Sequence, residues 1–247
     1  MRRFPKASII IRAKNEERDI GLTLSMVFRQ RMRDFEVIVV DSGSTDRTLE
    51  VARRFPVKII EIPPEKFTYG RALNIGIAAS RGEYLVCLSA HAIPADEEWL
   101  GNLLSGFDDP EVAGVYGMQI PRPDCNFLEV IGLALEGTNS PYPRLQRRGR
   151  SNFSNANSAI RRTLWVQVPF DETLSGAEDF AWAKQVQELG YLIKYEPTAR
   201  VYHSHGGPVL KIMRRAVRDF TTRLAVTVGI LAAKPPVLYY PPRPEAE

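Results

Sequence analysis

Three sets of side chains in this sequence combine residue types and spacing in a way that suits chemistry. Asp41-Ser42-Gly43-Ser44-Thr45-Asp46 puts a carboxylate and small hydroxyls directly after the apolar run Phe35 to Val40. A carboxylate at such a strand end can accept hydrogen bonds from a base or a ribose hydroxyl, while Ser44, Thr45 and Asp46 can also cap the helix that follows. Ser175-Gly176-Ala177-Glu178-Asp179 sets two acids behind a Gly-containing loop, at a helix start whose dipole favours ionised carboxylates. On residue type alone the plainer account is two acids decorating a helix terminus. The chain has three histidines, His91, His203 and His205, each either a transition-metal ligand or a loop residue bonded to backbone. No G-x-G-x-x-G follows a strand and no G-x-x-x-x-G-K-[ST] occurs, which removes the dinucleotide and Walker-type phosphate readings.

The elements that must carry these groups alternate. Ala7 to Ile11, Phe35 to Val40, Val57 to Ile62 and Glu83 to Leu88 read as buried strands. Helical spacing separates them: Ile20, Leu24, Val27 and Phe28, then Leu49, Val51, Ala52 and Phe55, then Arg71 to Ser80. Such alternation predicts a parallel sheet with helices on its faces and a ligand site at the carboxyl ends of the strands. Beyond residue 115 the pattern loosens into Pro- and Arg-rich loops, followed by a helix around Glu178 to Leu189, a short strand at Leu192 to Tyr195 and the segment Arg200 to His205. Leu210, Met213, Val217, Phe220 and Leu224 then form an apolar stripe beside Lys211, Arg214, Arg215 and Arg218. The stripe is expected to pack on the body with its cations outward, and lying on an anionic membrane surface is the second reading.

With 44% hydrophobic and 25% charged residues among 247, the composition is that of a globular chain able to bury a core. No apolar stretch reaches the roughly 20 residues of a membrane span, and two cysteines build no disulfide framework, so a cytoplasmic chain, at most peripheral to the inner membrane face, is expected. Residues 1–199 hold 25 basic and 26 acidic side chains and residues 200–247 hold 8 and 3, so the net charge of +4 is C-terminal. No recognition motif accompanies that excess, and no nucleic-acid partner is expected. The basic loop Arg144 to Arg150 is a solvated face or a contact for a phosphorylated or lipid-diphosphate acceptor.

Ile10-Ile11-Arg12-Ala13-Lys14-Asn15-Glu16-Glu17, Val39 to Asp46, Gly70-Arg71-Ala72-Leu73-Asn74, and Glu178-Asp179 with Trp182 together resemble glycosyltransferase family 2, in order and spacing, over residues 6 to about 205. The resemblance implies an α/β GT-A-like, Rossmann-type, mostly parallel central sheet flanked by helices, with a C-terminal helical extension. It implies a donor-binding half at 1–115, an acceptor and catalytic half of the same domain at 116–207, a basic amphipathic helix at 208–233 and a Pro-rich tail at 234–247. Among relatives, Phe67-Thr68-Tyr69-Gly70-Arg71 with Ser89-Ala90-His91 resembles bacterial rhamnosyltransferase-type members that build surface polysaccharide.

Residue by residue, the resemblance assigns Arg12, Ala13, Glu16, Asp41 and Ser42 to the nucleotide pocket, turns Arg71 and Asn74 toward the donor's ribose or phosphates, and makes Asp179 the base with Glu178 in support. Where the family has Asp-x-Asp on a divalent cation, Mn²⁺ or Mg²⁺, this chain reads Ser89-Ala90-His91; His91 then stands as the direct ligand, with His203, and His205 as second choice, completing the site. The expected function is inverting transfer of a sugar from a nucleotide-diphosphate sugar to a glycan, lipid-linked or small-molecule acceptor. The rivals are a non-catalytic nucleotide-sugar-binding subunit of a glycan assembly complex, which has no need of Glu178-Asp179, and a sugar-nucleotide pyrophosphorylase, which needs a Gly-rich loop that Arg12 to Glu17 lacks.

Overall fold

A computed structural model of the chain describes residues 4–123, 125–149, 151–204 and 209–229. Four parallel strands make its amino-terminal half: β1 (Ala7–Ala13), β2 (Phe35–Asp41), β3 (Lys58–Glu61) and β4 (Tyr84–Ser89). They are joined by α1 (Ile20–Phe28), α2 (Thr48–Ala52) and α3 (Tyr69–Ala78). Both faces of these strands are covered, which is why they read as unbroken apolar runs rather than as alternation. Ile9 and Ile11 point into one core layer and Ile10 into the other.

The second half follows as β5 (Ile93–Pro94), α4 (Trp99–Ser105), β6 (Val112–Ile120), α5 (Phe127–Glu136), β7 (Arg144–Gln146), β8 (Asn157–Arg161), α6 (Arg162–Gln167), α7 (Glu178–Glu188), β9 (Leu192–Tyr202) and α8 (Val209–Thr227). Among the described residues one sheet runs β3-β2-β1-β4-β8-β6-β9-β5, with β7 added on β9. β8 joins the halves by pairing antiparallel with both β4 and β6. The expected boundary at 115 therefore falls inside β6, and the halves share one sheet. The short strand expected at Leu192 to Tyr195 extends to Tyr202 as β9.

Helix α5 lies where the composition predicts Pro- and Arg-rich loop. Its signals are local: Asn126 accepts from the Leu128 amide while Glu129 reaches back to the Asn126 amide, and Gly137 ends the helix at φ 65°. Helix α8 corrects a second expectation. Leu210, Met213, Val217, Phe220 and Leu224 are all exposed, whereas Thr222 and Val226 are buried against the body. The body supplies partners for cations rather than an apolar groove: Arg223 lies 5.6 Å over the Phe180 ring and 3.9 Å from Glu136, and Arg218 lies 5.4 Å over Tyr69. His205 and the tail 234–247 lie outside the described residues.

Candidate functional site

The chemistry-bearing residues gather at the carboxyl ends of β1, β2 and β4, where the chain leaves β1 toward β2 on one side and β4 on the other. The loops after β1 and β2 are laced together. Oδ2 of Asp41 accepts the amides of Gly43 (2.9 Å) and Ser44 (2.8 Å), and Oδ1 accepts the Ser44 hydroxyl. Ser44 Oγ accepts from the Asn15 amide at 2.8 Å, Thr48 Oγ1 from Glu16 at 2.6 Å and Asp46 Oδ2 from Glu17 at 3.1 Å, while Asn15 Oδ1 receives the Thr45 amide at 2.8 Å. Burial pushes the Asp46 carboxyl up, but the Thr48 and Glu17 hydrogen bonds outweigh it and hold it below its ordinary value. Asn15 takes φ 56°, which Asn tolerates, and Gly43 takes φ 80° with its α-carbon so close to Pro64 that a Cβ would lie 2.5 Å from the ring.

Asp41 is only 1% exposed, and its carboxylate organises the loop that follows β2. Ser42 is likewise turned inward, its amide and hydroxyl both donating to Ala13 O at 3.0 and 3.2 Å. Ala90 is wholly buried, receiving the Thr23 hydroxyl on its carbonyl at 2.7 Å, and Ala13 is buried beside it.

Asn74 is wholly buried. Its Oδ1 accepts from Trp165 Nε1 (2.9 Å) and the Phe170 amide (3.1 Å), and its Nδ2 donates to Phe170 O (2.8 Å) and Glu172 Oε1 (3.1 Å). Every hydrogen-bonding group of this side chain is spent inside the protein, fixing the 165–172 segment on α3. Arg71, half-exposed, pairs with Glu172 at 3.3 Å. Thr68 caps α3 by accepting from the Arg71 amide.

At the centre stand the paired acids. Ala177, in the left-handed region at φ 57°, turns the chain into α7, so that Glu178 points into the protein and Asp179 stays at the surface of the site. Glu178 Oε1 receives Arg12 Nη1 at 3.2 Å and Asn155 Nδ2 at 3.4 Å. Burial, then the adjacent Asp179 charge, pushes the Glu178 carboxyl up to about 7 against the pull of Arg12. Asp179 Oδ2 accepts the Asn155 amide at 3.2 Å and Oδ1 its own neighbour's amide, Phe180, at 2.8 Å. The Arg12 guanidinium lies 4.9 Å over the Tyr69 ring, and Arg218 faces the same ring. Tyr69 and Arg218 were not singled out for this site from sequence; only the fold brings residues 12, 69, 178 and 218 together.

His91 and His203 are brought together as expected, with Glu16. His91 Nδ1 lies 2.8 Å from Glu16 Oε1, and the two rings stack with centroids 5.0 Å apart at 12°. Ser89 adjoins them, its amide on Ala156 O at 3.2 Å. Ring lone pairs lie in the ring plane, so two near-parallel rings direct them side by side rather than to one point. Among the described residues no three His, Cys, Asp or Glu side chains form a group able to hold a metal ion, and His205, the third histidine expected there, lies outside those residues.

A cavity of about 910 Å³ opens at the opposite, amino-terminal edge of the sheet, lined by Lys6, Arg81, Glu83, Arg161 and Arg162 among others. Its arginines are spent on structure: Arg161 donates to Phe107, Asp109 and Val112 carbonyls and Arg162 to Gly82 O and Ser80 Oγ. It holds no paired acids and lies away from the strand ends where chemistry is placed.

A sheet of this order, with its site at the strand carboxyl ends and paired acids entering from a later helix, is the GT-A glycosyltransferase fold. Mannosyltransferase PcManGT from Pyrobaculum calidifontis, solved with GDP-Man and Mn²⁺, superposes with a TM-score of 0.70 at 24% identity, over 95% of this chain and 67% of that one. S. aureus TarS 1-349 with UDP-GlcNAc superposes at 0.69 with 19% identity, over 93% and 67%. Residues 8–166 match Glycosyl transferase family 2, and the chain belongs to that family. The O-antigen chain rhamnosyltransferase WbaN of Salmonella anatum is 32% identical over 190 residues, 72% of this chain and 59% of that protein. The chain spans about three fifths of the length of the curated rhamnosyltransferases that it matches.

Proposed function

We propose that this chain is an inverting glycosyltransferase that transfers a sugar from a nucleoside-diphosphate sugar to an acceptor hydroxyl, in the synthesis of a surface polysaccharide or glycoconjugate. The observation that carries the reading is the Glu178-Asp179 pair, with one acid buried on Arg12 and the other half-exposed and held by two amides at the strand ends. Rhamnosyltransferase relatives and neighbours solved with nucleotide sugars support the substrate class.

Asp179 takes the proton of the acceptor hydroxyl as its oxygen attacks the anomeric carbon. The carbon–oxygen bond to the donor breaks in the same displacement, and its electron pair leaves on the nucleoside diphosphate. Arg12, steadied by Glu178 and Tyr69, keeps N–H groups for the charge that develops there. Arg71 stands at the edge of the same site. Among the described residues the histidines and acids do not converge on one point that could hold a cation.

The test is a melting panel with UDP, GDP, TDP and CDP, each with Mn²⁺, Mg²⁺ or EDTA. One nucleotide is expected to raise stability by about 2.7 kcal/mol at 100 times its Kd. Asp179→Asn should keep that shift and lose about 10²–10⁴-fold in turnover. No shift with any nucleotide overturns the donor assignment, and a product that retains the anomeric configuration removes Asp179 from the role of base.

A further inference from the structure

Helix α8 sends two neighbouring side chains back to the site. Arg218 donates through Nε and Nη2 to Oδ1 of Asp219 at 2.9 and 2.8 Å, which holds the guanidinium in one plane. From there it makes two contacts. Its Cζ lies 5.4 Å over the Tyr69 ring, the same ring that carries Arg12 at 4.9 Å. Its other neighbour is Gly176, buried just ahead of Glu178 and Asp179, where an added Cβ would lie 2.7 Å from Asp219 Oδ1 and 3.1 Å from Arg218 Nε. The missing side chain lets the pair sit directly on the loop backbone. Burial pulls the Arg218 guanidinium pKa down, but the Asp219 carboxylate and the Tyr69 side chain outweigh it and hold it above its ordinary value.

We infer that Arg218 is a positioning residue of the transfer reaction: it sets the Tyr69 ring on which Arg12 rests and, with Asp219, the turn at Gly176 and Ala177 that aims Asp179. The two groups it steadies meet opposite ends of one displacement. Arg12 faces the charge that develops on the leaving nucleoside diphosphate, and Asp179 takes the proton of the attacking hydroxyl. Their separation must therefore match the line of attack, and a misplacement of about 1 Å can cost about 10²-fold in rate. Arg12 itself reaches the acid pair through Glu178 at 3.2 Å, and Arg218 adds a second tie, from the Tyr69 ring to the loop ahead of that pair. The family match ends at residue 166, so it assigns nothing to α8. The assignment rests on the glycosyltransferase reading; the packing of Arg218 and Asp219 on the loop does not.

The test follows nucleoside diphosphate release by the whole 247-residue chain from UDP-GlcNAc, GDP-Man and dTDP-rhamnose, with water as acceptor. On a donor that the wild type turns over, Arg218→Ala should lower kcat about tenfold and leave KM within about twofold. Tyr69→Leu should do the same, and the double variant should lose less than the product of the two, because Arg218 acts through that ring. Arg214→Ala, on the exposed face of the same helix, should keep both constants at wild-type values. Hydrogen exchange of the amides of residues 174–180 is measured on the same proteins and should quicken about tenfold in Arg218→Ala alone among the α8 variants. Wild-type kcat in Arg218→Ala overturns the inference, as do losses that multiply in the double variant or exchange that stays at the wild-type rate. A raised KM at unchanged kcat also overturns it and makes Arg218 a donor contact. Quickened exchange in a protein whose wild type neither turns over a donor nor shifts its melt with any nucleotide would sink the glycosyltransferase reading and leave Arg218 as the support of the loop.

Discussion

Glu178 and Asp179 are neighbours in sequence and opposites in environment. The left-handed turn at Ala177 sends the first into the protein against Arg12 and leaves the second at the mouth of the site. Because Glu178 is raised to about 7 in the fold from an ordinary 4.5, the folded protein holds its proton more tightly than the unfolded chain. Its contribution to stability is therefore full below pH 4.5 and is lost as pH rises through 7. Glu178→Gln, which keeps an oxygen for Arg12, removes that dependence. Its Tm relative to wild type should rise between pH 4.5 and pH 8, and a constant difference across that window would show that Glu178 ionises normally. The acid pair itself was legible in the sequence, but which of the two acids is buried was not, since that depends on one backbone turn.

At the scale of elements, the loops after β1 and β2 and the segment after α6 are held by side chains that a sequence reading gives to the ligand. Asp41 ends β2 and Asn74 stands in the middle of α3, and both side chains are buried. A buried amide or carboxylate must spend its hydrogen bonds on neighbours. Asn74→Ala leaves the Trp165 Nε1 and Phe170 amide donors buried without that acceptor and should cost roughly 3 kcal/mol, read as a lower urea midpoint with unchanged m-value. A change below about 0.5 kcal/mol would mean that the two donors find other partners. The strands of the first half were legible because both their faces are buried and their apolar runs are continuous. Helix α5 was missed although Asn126, Glu129 and Gly137 carried its caps, because the prolines and arginines around it resemble loop composition.

The described residues form one sheet with a helix strapped across its later half, and the strap meets the Gly176 loop. Val226, 3% exposed, lies in the contact between α8 and α7. Val226→Asp buries a carboxylate there and should free α8, so that trypsin cuts after Arg218 and Arg223 about tenfold faster. Val228→Asp, two residues on and facing solvent, should leave the cleavage rate at the wild-type value. Equal rates for all three proteins would mean that α8 is held by contacts other than Val226.

Sequence by itself determined the family, the alternation of strands and helices, the strand ends at which the site forms, and the acid pair within it. These follow from local order: apolar runs make strands, and motifs a few residues long keep their spacing whatever surrounds them. Tertiary structure alone decided which of the polar motif residues face the site. It turned Asp41, Ser42 and Asn74 inward, stacked His91 on His203 beside Glu16, brought Arg12, Tyr69 and Arg218 into one cluster, and rotated α8 so that its apolar stripe faces out. The reason is that burial and hydrogen-bond satisfaction are settled between residues distant in the chain: Asn74 meets Phe170 and Arg12 meets Glu178 only after the sheet has formed.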